Sequence, residues 1–177
     1  MHFLSDLQEL NRAFLNLIRH PEATAESWRL LELEPGVAAA LRLLDPEALA
    51  FIAGLPGLLA GLAPASDGRV ADPAAPHLAT GWLRSMAVYA AMLQTYLWQT
   101  ARQDPLLARL CLGLGDGAPA QSGVLIEFTA PSAAVRLRAR FGRHPRLWPQ
   151  LLRAARQRDR GLRELCRLEL LALGARA

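Results

Sequence analysis

Helical periodicity cut at short intervals by proline is the feature that most limits what this chain can become. Leu7, Leu10, Phe14 and Leu17 recur at three- and four-residue steps, which predicts an amphipathic helix to about Arg19. Ser5-Asp6-Leu7-Gln8 at its start has the form of a capping box, and Pro21 stops it. A second short helix is expected from Ala25 to Leu33, with Trp28 and Leu31 on its buried side, until Pro35-Gly36 interrupts. A third runs through Val37, Leu41 and Leu44. Asp45-Pro46-Glu47 then reads as an N-cap, an N1 proline and an acid suited to the helix dipole, opening a fourth helix through Leu49, Phe51 and Ile52. Helices this short are stable only when packed on one another.

Residues 61–76 hold Pro64, Ser66-Asp67-Gly68, Pro73 and Pro76 and read as a loop. From His77 to about Gln103 a long helix is predicted, with Trp82, Met86, Tyr89, Leu93 and Leu97 as its apolar stripe. Asp104-Pro105 caps a short helix from Leu106 to Leu112. Gly113, Gly115, Gly117, Pro119 and Gly123 mark a linker. Beyond it the period shifts to two, in Val124 to Thr129 and again in Val135 to Phe141. A β-hairpin turning at Ala130-Pro131-Ser132-Ala133 fits and would align Arg136, Arg138 and Arg140 on one face; a helix capped by Ser132 competes and would scatter them. Arginine-rich helices, Leu147 to Arg156 and Leu162 to Leu173, close the chain. The expected fold is mainly α, a multi-helix orthogonal bundle with a small C-terminal β-hairpin plus helices. Its expected parts are a helical association domain over 1–112, a Gly-rich linker over 113–123 and an arginine-rich unit over 124–177.

All 20 basic residues are arginine, so P-loop and Schiff-base chemistry, both dependent on a lysine, are excluded. The charge is unevenly placed. Residues 1–135 carry eight arginines against thirteen carboxylates, whereas 136–177 carry twelve against three. An acidic body and a basic tail segment follow. Cys111 and Cys166 lie singly in apolar helical runs and read as buried thiols rather than a disulfide. His2, His20, His77 and His144 are scattered without ligand spacing, and neither a metal nor a cofactor is expected. Ala48 to Ser66 runs nineteen residues without a charge, but Pro56-Gly57 in its middle points to a buried helix followed by a turn, not a membrane span. Met1 to Asp6 lacks a basic n-region, and a cytoplasmic protein is expected.

Nothing with catalytic order emerges. Gly113-Leu-Gly115-Asp-Gly117-Ala118 superficially matches a dinucleotide turn but follows a helix rather than a strand. No nucleophile elbow appears, and His77 and His144 read as surface or capping residues, so no enzyme is expected. Trp82, Tyr89, Tyr96 and Trp98 fit a core or subunit interface better than a stacking platform. The candidate contacts for nucleic acid or an acidic partner are Arg136, Arg138, Arg140, Arg143, Arg146, Arg153, Arg156 and Arg160. The competing reading makes these arginines a solvated face, or a surface paired with the acidic body. Leu7, Leu10, Phe14, Leu17, Trp28 and Leu41 are the candidate protein interface.

Asp6-Leu7-Gln8-Glu9-Leu10-Asn11 with Phe14-Leu15, then Trp28-Arg29-Leu30, then Val37 to Leu44 followed by Pro46-Glu47, and finally Asp67 to Asp72 with His77, form an ordered series. Over residues 5–95 that series resembles FlhD, the flagellar transcriptional activator subunit that acts with its partner FlhC. Ala60 stands where many relatives have a subunit-linking cysteine, Gly61-Leu62-Ala63-Pro64 replaces an Arg/Phe-rich stretch, and residues from about 105 have no counterpart. The resemblance implies a helical, dimer-forming regulator subunit that joins an FlhC-like partner and grips promoter DNA. The expected function is therefore a non-enzymatic transcriptional regulator subunit, a homo-oligomer in contact with DNA. The alternative is a DNA-free adaptor, chaperone or assembly component of a flagellar or secretion apparatus.

Overall fold

A computed structural model describes residues 3–64, 81–112, 135–142, 144 and 146–176. Among them the chain forms α1 (Phe3–Ile18), α2 (Ala25–Leu30), α3 (Pro35–Arg42), α4 (Pro46–Ala53), β1 (Ala60–Pro64), α5 (Gly81–Gln103), α6 (Pro105–Leu112), β2 (Val135–Ala139), α7 (Leu147–Gln157) and α8 (Arg160–Arg176). The architecture is mainly helical with one small two-stranded antiparallel sheet.

The expected helices form, and their ends have local causes. Asp45 caps α4 by accepting from the Ala48 amide at 2.7 Å, with Pro46 in the first turn. Asp104 caps α6 through the Leu107 amide. Ser5 does not open α1, which already begins at Phe3 with Ser5 inside it. The capping box sits instead on α2, where Thr24 and Ser27 exchange side-chain and backbone bonds. The last carbonyls of α1 would be orphaned where they are buried. Two indoles reach them: Trp28 donates to Ile18 and Trp82 to Leu17, each at 3.1 Å, and Leu17 also accepts from the His20 amide. Glu22 completes that corner by accepting from the Trp82 amide at the positive end of α5.

The sheet corrects one expectation. Residues 60–64 form a strand, not the start of a loop, and they pair with β2 in the register Ala60 with Ala139, Leu62 with Leu137 and Pro64 with Val135. The described partner of β2 is thus a strand of the helical body; the expected first hairpin strand, 124–129, and its turn lie outside the described residues. Leu62, Leu137, Ala60 and Ala139 turn one face of the sheet into the core. The ladder continues at its end, where the Arg140 amide donates to Leu59 and the Ala139 amide to Leu31. Gly142 follows, and a methyl there would overlap the Glu32 carbonyl oxygen, so the close approach of these two turns requires glycine.

One core serves the described residues. α1 lies between α4 and α5, α7 packs on α4 and α3, and α8 packs on α7 and reaches α6. Leu137, Trp148, Leu151, Cys166 and Leu170 share that core with Phe14, Leu41, Ile52 and Leu97. The described part of the arginine-rich segment thus shares one core with the helices of the first 112 residues; the linker, 113–123, lies outside the described residues. Across the α1 to β1 junction, buried Asn11 donates to the carbonyls of Gly57 and Ala53 and accepts from the Leu59 amide at 2.9 Å. That one amide fixes the turn feeding β1. No helix among the described residues is long and apolar enough to cross a membrane.

Candidate nucleic-acid interface

The described arginines among the eight singled out from the sequence do not share one face. Arg136 and Arg138 share the outward side of β2, but the Arg136 guanidinium pairs with Glu32 at 2.5 Å and Arg138 lies across Gly61. Arg140 is not on that face. The strand ends at Ala139, the chain turns through Phe141 at φ 58°, and Arg140 is buried with its guanidinium 4.8 Å from the Phe141 ring centroid. Arg143 lies outside the described residues.

A different helix gathers the exposed cations. Arg146, Arg153 and Arg156 are all exposed; Arg153 and Arg156 lie three residues apart on one side of α7, and Arg146 is its N-cap residue. The opposite face of α7 carries Leu147, Trp148, Leu151, Leu152, Ala154 and Ala155 into the core, so the arginines cannot rotate inward. No carboxylate occurs from 147 to 157. Arg160, at the start of α8, is also exposed. His144 accepts from the Leu147 amide at 3.1 Å and so caps α7; His77 lies outside the described residues. Beside the arginines runs a shallow groove between α3 and α7, lined by Val37, Leu152, Arg153 and Arg156 and bearing one acid, Glu34.

Three further arginines, which sequence could not sort from the rest, are structural. Arg158 adopts a left-handed conformation (φ 54°) and bridges Asp45 at 3.2 Å and Glu47 at 3.1 Å. The Asp45 carboxyl is held below its usual range chiefly by the Ala48 amide, with desolvation opposing and Arg158 adding a smaller lowering. Arg163 donates to the Ala154 and Ala155 carbonyls at the end of α7 while its guanidinium covers Phe51. Arg167 pairs with Glu164 at 2.6 Å.

The six residues expected to face a partner are instead interior. Leu7, Leu10, Phe14, Leu17, Trp28 and Leu41 are all buried in this chain's own core. Apolar surface appears elsewhere, on α5. Seventeen consecutive residues, 85–101, carry no charge, although Val88 and Met92 are 62% and 51% exposed. They border a groove between α1 and α5 made of two adjoining hollows of about 600 and 410 Å³. Buried Tyr89 packs on Phe14 in its floor, its hydroxyl pushed well above the usual phenol range by desolvation.

Cys166 is a free, buried thiol, raised in pKa by that burial and by the nearby Glu169 charge. It is thus unsuited to nucleophilic work. Among the described residues no group of His, Cys, Asp and Glu could hold a metal ion. No protein-family model matches the chain, and searches of curated proteins and of solved structures return no similar protein.

Proposed function

We propose that this chain is a non-enzymatic regulatory subunit of the FlhD-like kind that contacts duplex DNA through α7 and assembles with protein through its helical body. The observation that carries the reading is the exposed side of α7, with Arg153 and Arg156 on a helix that holds no acid and Arg146 at its N-cap. Ten residues separate the first from the last, about 15 Å along the helix axis. Duplex DNA presents one negative charge per about 1.7 Å of its own axis, so each guanidinium can meet a phosphate without distortion. Arginine suits this work, because its planar fork takes a phosphate through two hydrogen bonds. The contact would position the protein without reading sequence, which leaves base selection to a second subunit, FlhC-like in the resemblance.

Fluorescence anisotropy with a labelled duplex tests the proposal. Three phosphate contacts give a plot of log affinity against log salt with a slope of about −3. Binding that is absent, or present but indifferent to salt, would refute it. The DNA-free adaptor is kept as a second reading because α5 offers an uncharged outward face to protein. Capture of a specific protein from nuclease-treated lysate, together with no duplex binding, would favour the adaptor.

A further inference from the structure

We infer that the groove between α3 and α7 binds an acidic amphipathic peptide of a partner protein, and that this peptide displaces duplex from α7. The peptide site stands on its own geometry; only the displacement rests on the proposed DNA reading. Gly36, in the first turn of α3, and Pro149, in the first turn of α7, are both exposed. Between the two helices opens a hollow of about 460 Å³, with Val37 and Leu152 as its apolar lining. Both are anchored in the core, at 7% and 8% exposure, so the apolar surface is set before a ligand arrives. Arg153, Arg156 and Gln157 form the α7 rim. Arg153 uses Nε on Gln157 at 3.3 Å, and Arg156 has no partner among the described residues. The two guanidiniums stand one turn apart, about 4.5 Å along the axis. Glu34 faces them as the one acid of the groove, and its side chain makes no cap bond to α3.

This mixture of surfaces decides the occupant. A phosphate backbone can meet the arginines but has no apolar side chain to set against Val37 and Leu152. A wholly apolar segment would cover those two and leave the guanidiniums unmatched. The ligand that uses both has leucine-like side chains bordered by carboxylates one helical turn apart, which is an acidic amphipathic helix lying with its charges toward α7 and away from Glu34. In the proposed DNA contact the same Arg153 and Arg156 meet phosphates. Peptide and duplex therefore exclude each other, and an acidic segment of a partner would take this chain off DNA.

Fluorescence anisotropy on the full chain without DNA supplies the test. The probe is a labelled, alanine-based peptide of about twelve residues, with leucines one turn apart and glutamates flanking them. It should bind saturably, and Gly36→Phe should weaken it about tenfold by filling the groove. A Cβ at Gly36 meets nothing nearer than the Glu34 carboxylate at 3.6 Å, so this variant should melt with wild type. Changing Arg153 and Arg156 together to glutamine should also weaken it about tenfold, whereas Glu34→Gln should tighten it about threefold by removing the one opposing charge. Unlabelled peptide should release duplex from wild type but not from Gly36→Phe, which keeps both arginines. No binding up to about 1 mM peptide, or binding indifferent to Gly36→Phe, would overturn the inference. Equal binding of a peptide with serines in place of its leucines would overturn it too, since that is a bare ionic contact. Peptide binding by a chain that binds no duplex would keep the site and overturn the displacement together with the DNA reading.

Discussion

Asn11→Leu should lower the stability of this protein by about 3 kcal/mol, because it orphans buried backbone groups that no other described residue reaches. Leucine fills nearly the same space, so the loss does not come from a cavity. It comes from the Gly57 carbonyl and the Leu59 amide, both left without the side chain that now pairs them, and from a weakened hold on Ala53. For a chain of this length the midpoint of thermal unfolding should fall by about 10 °C. Asn16→Leu, on the exposed side of the same helix, should change it by no more than about 0.5 kcal/mol. Equal midpoints for wild type and Asn11→Leu, followed by circular dichroism, would show that the turn before β1 does not depend on this amide.

Replacing Arg136, Arg138 and Arg140 together with alanine should also cost about 3 kcal/mol, most of it from Arg140. Its truncation empties space between the end of β2 and the turn at Phe141, in a region where Leu170 also approaches Gly57. Arg136 adds less, since its pair with Glu32 is partly open to water on the arginine side. Arg138→Ala alone should be close to neutral. Had alternation carried all three onto one exposed strand face, the triple change would leave folding intact and weaken only anion binding. Thermal melts of the three single variants decide between the two: three neutral single changes would restore the strand as a free cationic face.

That contrast shows what a sequence of this kind can and cannot disclose. Alternation over Val135 to Ala139 correctly announced a strand, since period-two burial is local information. It could not announce that the chain leaves the strand at Arg140, because the turn there, through Phe141 at φ 58°, is packed against residues about a hundred positions earlier, where Gly142 meets the Glu32 carbonyl. β1 was illegible for a related reason. Ala60-Gly61-Leu62-Ala63-Pro64 has little β-propensity, and its extended form comes from pairing with residues about 75 positions later. The cap on α2 was hidden because Ser27 stands where a glutamate or glutamine usually signals a capping box. Helices α3 to α6, by contrast, follow proline, N-cap and periodicity cues that act within one or two turns.

The candidate site was legible as a class and not as a set. Twelve late arginines announced a basic segment, but their sorting into clasps and free cations depends on which acids lie across the fold. Arg158 reaches Asp45 and Glu47 over more than a hundred residues. Arg153 and Arg156 look no different in sequence, yet face outward because Leu151, Leu152, Ala154 and Ala155 anchor the other side of α7. Apolar residues on α1 misled in the opposite sense. Their periodicity marked a buried face, and the neighbours that bury it belong to the same chain.

The salt dependence of duplex binding by a variant with Arg146, Arg153 and Arg156 changed to glutamine tests the central claim most directly. These side chains are exposed, so the variant should melt with wild type. For wild type, a fourfold rise in salt should cost about 40-fold in affinity, and for the variant the plot should lie nearly flat. An unchanged slope in a folded variant would contradict the claim that α7 is the surface that meets DNA.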